Sequence, residues 1–146
     1  MTTKVAHSIQ LEHLCHVRAQ LAPVTLEGAP TGTRVIFEVV HGEVEGERVR
    51  GTGVGPGADW LLIGPDGTGM LDVRFTLRTH DDALVFVQYN GRTDVRGGAG
   101  SAPVYVAPRF ETGDERYAWL NGVQAVGKGT FDPDTAVVEY DWFEIR

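Results

Sequence analysis

Along most of its length this chain alternates polar and apolar residues one by one, in short runs broken by Gly, Pro or Asp. Period two marks a strand whose two faces meet different surroundings, and it is incompatible with a helical fold. The runs are Leu11 to Ala22, Arg34 to Glu43, Glu47 to Thr52, Met70 to Thr79, Ala83 to Tyr89, Val104 to Arg109, Asn121 to Lys128 and Ala136 to Ile145. Between them stand turn formers such as Gly64-Pro65-Asp66-Gly67, His80-Asp81-Asp82 and Phe131-Asp132-Pro133-Asp134. Strands at this spacing predict an all-β barrel or sandwich of about eight strands, a single domain over 1–146 with a flexible stretch at 1–8. One short helical turn is expected at Asp114 to Leu120, too short to stand alone.

Composition narrows the function. Asp and Glu total 20 against 13 Lys and Arg, a formal charge of −7, which argues against a phosphate-tracking surface and hence against nucleic acid. No run reaches the roughly 18 apolar residues of a spanning helix, and the first residues carry no secretory core, so the expected setting is cytoplasmic, away from membranes. Glycine is in excess, 19 of 146, where about 7 % is usual. Gly51, Gly53, Gly55 and Gly57 superficially suggest a nucleotide loop, but no helix begins after them and the Lys-Ser/Thr of a P-loop is missing. A bent or bulged strand leading into a tight loop explains them better. Gly97, Gly98 and Gly100 read as a loop able to cover a site.

Metal and cofactor chemistry is not expected. Cys15 is the one cysteine, and in a plain strand His13 and Cys15 share a face while His16 points away, so the three do not converge. The five histidines show no HExxH spacing, and neither serine sits in a nucleophile elbow. The segment Leu71 to Arg78 is more informative. It places Leu71, Val73, Phe75 and Leu77 on one face and Asp72, Arg74, Thr76 and Arg78 on the other. A sheet with one wet face explains this without function. A ligand-holding barrel lumen is the alternative, with Asp72, Arg74, Arg109 and Glu111 as the candidate acid/base and anion-binding groups. Asp59, Trp60, Arg78, Tyr89, Tyr105, Tyr117, Trp119 and Asn121 are candidate ligand contacts, as polar or aromatic residues near the same segments.

The stretches Gly55-Pro56-Gly57-Ala58-Asp59-Trp60, Leu71 to Ala83, Val87-Gln88-Tyr89-Asn90-Gly91, Pro108-Arg109-Phe110-Glu111-Thr112 and Tyr117-Ala118-Trp119-Leu120-Asn121 together resemble the domain of unknown function 3237, also called uncharacterised protein family 0311. The resemblance covers nearly the whole chain. It implies an antiparallel up-and-down barrel of the calycin-like kind and says little about activity. Ala83 stands where a glycine is expected and Phe75 where a tyrosine is, so a phenol at position 75 is not available here.

Three functions follow as expectations. The first is a cofactor-free enzyme of isomerase, cyclase or lyase type acting on a partly apolar metabolite that bears a carbonyl or carboxylate. The second is a barrel that binds such a ligand without converting it, and the third is a structural or interaction protein. A homodimer is compatible with each. The enzyme reading carries a strict condition: Asp72, Arg74, Arg109 and Glu111 must converge inside a cavity, and it fails for these four if they face solvent.

Overall fold

In a computed structural model that describes residues 7–146, alternation has been converted into a closed antiparallel barrel. Its strands are β1 (Leu11–Ala29), β2 (Gly32–Glu45), β3 (Gly51–Ile63), β4 (Thr68–Thr79), β5 (Leu84–Asp94), β6 (Val104–Val106), β7 (Arg109–Glu111), β8 (Ala125–Asp132) and β9 (Val137–Ile145). β1 to β5 pair in chain order, β5 pairs with β6 and β7, β6 with β8, β8 with β9, and β9 returns to β1, so the ring closes. Closure removes the unpaired backbone groups that would invite aggregation. Because β6 and β7 both pair with β5 on either side of Ala107-Pro108, they form one broken staff of an eight-stranded barrel. Pro108 has no N–H for the ladder, which accounts for the break. The stretch expected to be flexible, 1–8, lies outside the described residues except for His7 and Ser8. None of the described helices is long and apolar enough to cross a membrane.

Several strand boundaries differ from expectation: β1 runs on past Ala22 to Ala29, β6 stops at Val106, and Asn121 and Gly122 belong to a helical turn rather than to β8. Glu47 to Arg50 is a turn rather than a strand, and β3 instead runs through the whole glycine segment to Ile63. The ladder with β4 slips between Val54 and Ala58, so β3 is a bulged strand and Asp59 to Ile63 belongs to the barrel wall. Gly57 is required there, since a Cβ on it would lie 2.8 Å from that of Phe75.

The core is the barrel interior. Leu71, Val73 and Leu77 of β4 point inward with Val85 and Val87 of β5 and Val138 and Trp142 of β9. One end is plugged by a 3₁₀ helix, Glu115–Gly122, whose Tyr117 and Leu120 are buried. Asp114 caps it by accepting from the Arg116 N–H. At this end β1 also carries a bulge between His13 and Cys15. That slip corrects the simple strand picture: Cys15 turns inward and is fully buried, while His13 and His16 both reach outward to Asp141 Oδ1, at 2.9 and 3.3 Å. No metal-binding group of three such side chains is present among the described residues.

Burial, reinforced by the charge of Asp141, pushes the Cys15 thiol up to about 12. A thiolate is the reactive form. The native protein is therefore expected to leave Cys15 untouched by Ellman's reagent at pH 8, and the urea-unfolded chain to react fully; fast labelling of the native state would contradict the packing.

Candidate functional site

At the end opposite the 3₁₀ helix the barrel is hollow. A cavity of about 460 Å³ lies within the ring there, inside the size range of small-molecule sites. Its wall is mostly apolar, with Phe37 of β2, Leu61 of β3, Leu71 of β4 and Phe131 of β8 among its side chains. Phe37 and Phe131 meet edge to face with centroids 5.4 Å apart. The loop after β5 crosses the mouth and adds Val95, Ala99 and Gly100 to the wall, which puts part of the expected covering segment against the cavity. Gly100 has φ +80° and packs so closely that a Cβ would lie 2.5 Å from the Phe131 carbonyl oxygen.

Asp59 and Tyr140 lie where this chamber meets a smaller void of about 40 Å³ that is also lined by Tyr89. Asp59 is 9 % exposed, and its Oδ1 accepts a hydrogen bond from the Asp72 N–H at 3.0 Å. Burial raises its pKa to about 7; the Asp72 N–H opposes the rise and the Asp72 charge adds to it. At neutral pH this carboxyl is thus divided between acid and base forms, the condition that best suits a group both giving and taking protons. Tyr89 and Tyr140 stay neutral, because burial pushes both phenols up and the charge of Asp59 raises them further. Behind them Trp142 is fully buried, its ring centroid 5.4 Å from that of Tyr89. Among the described residues, no Lys, Arg or His lines either cavity.

Of the twelve candidate site residues, Asp59 and Tyr89 face the interior. The four assigned to catalysis do not. Asp72 and Arg74 form a pair on the outer wall, 3.4 Å apart and each about half exposed at 48 and 53 %. Arg109 lies in the same outer row, since Arg74 pairs with Gln88 and Gln88 with Arg109 across the strands, and Glu111 is exposed two residues further on. The stated condition is not met, so the acid/base and anion-binding roles given to these four are withdrawn. The physical reason is simple: an eight-stranded barrel is filled by its inward side chains, so the apolar face of β4 takes the inside and the charged face takes the water.

The remaining contacts are also outside the chamber. Arg78 bonds Asp82 at 2.8 Å on the surface. Trp60 lies on the outer wall with the Arg74 guanidinium 5.1 Å from its ring centroid, and Tyr105 is exposed beside Lys128. Tyr117 belongs to the plugged end, where its hydroxyl donates to Asp81 at 2.7 Å. Trp119 packs under Arg48 and Asn121 exchanges hydrogen bonds with the Thr112 backbone, both structural roles of the helical turn. Arg74→Ala, Arg109→Ala and Glu111→Gln are accordingly expected to leave ligand affinity and any turnover within about twofold, as usual for surface changes; a tenfold loss in any of them, measured by titration with a chamber ligand, would return the site to the outer wall.

Tyr140 escaped sequence reasoning although its signal was present. Val138, Tyr140 and Trp142 alternate with Glu139 and Asp141, the same inward and outward pattern as in β4.

Residues 9–145 match the family described as protein of unknown function (DUF3237). The chain is 30 % identical over 145 residues to the UPF0311 protein of Rhodopseudomonas palustris strain CGA009, covering 90 % of this chain and 95 % of that one. A crystal structure of a beta-barrel like protein from Acinetobacter baumannii AYE superposes with a TM-score of 0.85 at 26 % identity, over 99 % of this chain and all of that one. A shorter match, 34 % identical over 94 residues, is to the hydroalkoxylation enzyme phnH of Penicillium herquei, over 64 % of this chain and 56 % of that protein.

Proposed function

Since the chain belongs to the DUF3237 family, we propose that its barrel binds an uncharged, mostly apolar small molecule and that Asp59 moves a proton to and from it without a cofactor. The observation that carries this is one carboxyl, with a pKa of about 7, at the floor of a 460 Å³ apolar chamber. A carboxylate-bearing substrate drops out of the reading, because among the described residues no cation lines the chamber to receive it.

The chemistry open to Asp59 is general acid and base catalysis. As the acid, it gives its proton to a C=C or C=O bond; the π electrons form the new C–H or O–H bond, and Asp59 becomes a carboxylate. Attack by an internal hydroxyl on the resulting electron-poor carbon forms a C–O bond, and the hydroxyl proton returns to Asp59. Proton and electrons balance with nothing added. Hydroalkoxylation, the activity in the name of the Penicillium herquei relative, is such an addition of an O–H across a C=C bond. Isomerisation and cyclisation use the same acid and base steps. Tyr89 and Tyr140, neutral at working pH, place no further charge beside the carboxyl.

The test is incubation with a panel of unsaturated, hydroxyl-bearing terpenoids and aromatic polyketides, followed by chromatography for products of unchanged mass. Conversion that disappears in Asp59→Asn supports the proposal. Ligands that raise the melting temperature yet persist unchanged over days would instead make the protein a binding barrel, a reading favoured by the otherwise apolar lining.

A further inference from the structure

We propose that the chamber is a receptor for lipophilic amines, held as ammonium ions against the Asp59 carboxylate. The assignment rests on the chamber being the ligand site, as argued above, and adds a cationic class of ligand to the uncharged substrate proposed there.

Asp59 is 9 % exposed and spends only Oδ1 on the protein, through the Asp72 N–H; its carboxyl makes no other hydrogen bond among the described residues. The second oxygen is not among the buried orphan atoms and is open to the cavity, where a donor carried by a ligand can reach it. An ammonium supplies that donor and a compensating charge together. Among the described residues no Lys, Arg or His on the wall competes for Asp59. The groups that do face it are the phenols of Tyr89 from β5 and Tyr140 from β9, both neutral, with the Asp72 charge behind it on β4. Phe37, Phe131 and Tyr140 supply ring faces and edges around the volume, and aromatic faces attract a desolvated cation. The overall charge of −7 favours approach of a cation from solution. The same features exclude a carboxylate, which would face Asp59 across an apolar gap. They also fit the acid step, which creates a cation on the substrate beside a newly formed carboxylate; an ammonium copies that charge pair.

Binding of an ammonium requires ionised Asp59, so affinity must rise with pH through about 7 and level off until the amine itself loses its proton. Three probes of one size separate the cases: 2-(1-naphthyl)ethylamine, 2-(1-naphthyl)ethanol and 1-naphthylacetic acid, each titrated calorimetrically at pH 5.5 and pH 8. The amine is expected to bind about 30-fold tighter at pH 8 than at pH 5.5, from the ionised fraction of a group with pKa near 7. The acid is expected to bind at least about tenfold more weakly than the alcohol at pH 8, from like-charge repulsion. In Asp59→Asn the rise in amine affinity through pH 7 should disappear and the amine should bind more weakly than the alcohol, because a buried ammonium then lacks its counter-ion, while circular dichroism at both pH values certifies the fold. Acid binding as tight as amine binding, or a flat pH profile for the amine in the native protein, would overturn the assignment. If the alcohol binds and the amine does not, the amine class fails while the chamber stands as the site. If neither binds, the chamber itself is refuted as the site.

Discussion

Asp59→Asn is expected to cost any proton-transfer activity at least about 100-fold and, at pH 8, to make the barrel more stable. The sign comes from comparing the two states. Unfolded, Asp59 titrates near 3.8; folded, near 7, because burial disfavours its charge. Between those values the folded protein holds a proton that the unfolded chain has released. Stability from this group is therefore complete below about pH 3.8 and is lost progressively as the pH rises through 7, beyond which the deficit is constant. Asparagine is neutral throughout and keeps an oxygen for the Asp72 N–H. The variant should match the native protein near pH 3 and exceed it by up to roughly 4 kcal/mol at pH 8, about 10 °C in melting temperature for a chain of this size. Comparing the two proteins at each pH cancels the opposite trend of Asp81 and Asp94, whose hydrogen bonds hold them down at about 2. Scanning calorimetry from pH 4 to 8 measures it. Equal melting temperatures at pH 8 would mean that Asp59 is not a strained, titrating group, and both the acid/base and the amine readings would lose their basis. A functional group that destabilises its fold is a common trade in enzymes.

Much of this architecture was legible in the sequence, and the site was legible in one respect. Alternation in Leu71 to Arg78 separated the inward from the outward side chains correctly, because period two is a property of the backbone that tertiary context does not alter. What alternation does not say is which side a ligand takes. Charged residues suggested chemistry, yet their number on one face only marks the wet side, and the informative residue is the exception on the dry side. Asp59 is that exception, in Ala58-Asp59-Trp60-Leu61. It stood out poorly because Gly55-Pro56-Gly57 looks like the end of a strand. In the fold those residues are a bulge in the middle of one, where Gly57 lets the backbones of β3 and β4 close on Phe75. Tyr140 was hidden for another reason. Its partner across the lumen, Tyr89, lies on a strand 51 residues earlier, and only closure of the ring brings β5 and β9 face to face. Local bulges and long-range closure, neither written in residue type, account for what the sequence left open.

Trp142→Ala should be the most destabilising single truncation near the site, at about 3 to 5 kcal/mol. The indole is 1 % exposed and is enclosed by Tyr89, Phe110 and Tyr140, with ring centroids at 5.4, 6.1 and 6.3 Å. It occupies room that the backbone of β8 yields to it: a Cβ on Gly127 would come within 2.5 Å of its Cδ1. Its Nε1, however, is buried without a hydrogen-bond partner among the described residues, and such an orphan donor costs roughly 1 to 3 kcal/mol. The two effects oppose one another in the same side chain, and a second substitution separates them. Trp142→Phe removes the orphan N–H together with part of the ring, so the lost packing is largely offset and the net cost should stay below about 1.5 kcal/mol. Urea unfolding of both variants gives the comparison, with an unchanged denaturant slope as the sign that each remains a cooperative barrel. The alanine variant also removes the wall against which Tyr89 and Tyr140 are held, so the pH midpoint of Asp59 should move back toward the ordinary carboxylate range as water reaches it. A phenylalanine variant as unstable as the alanine variant would show that the indole N–H is satisfied by a partner after all, with a water in the interior as the first candidate.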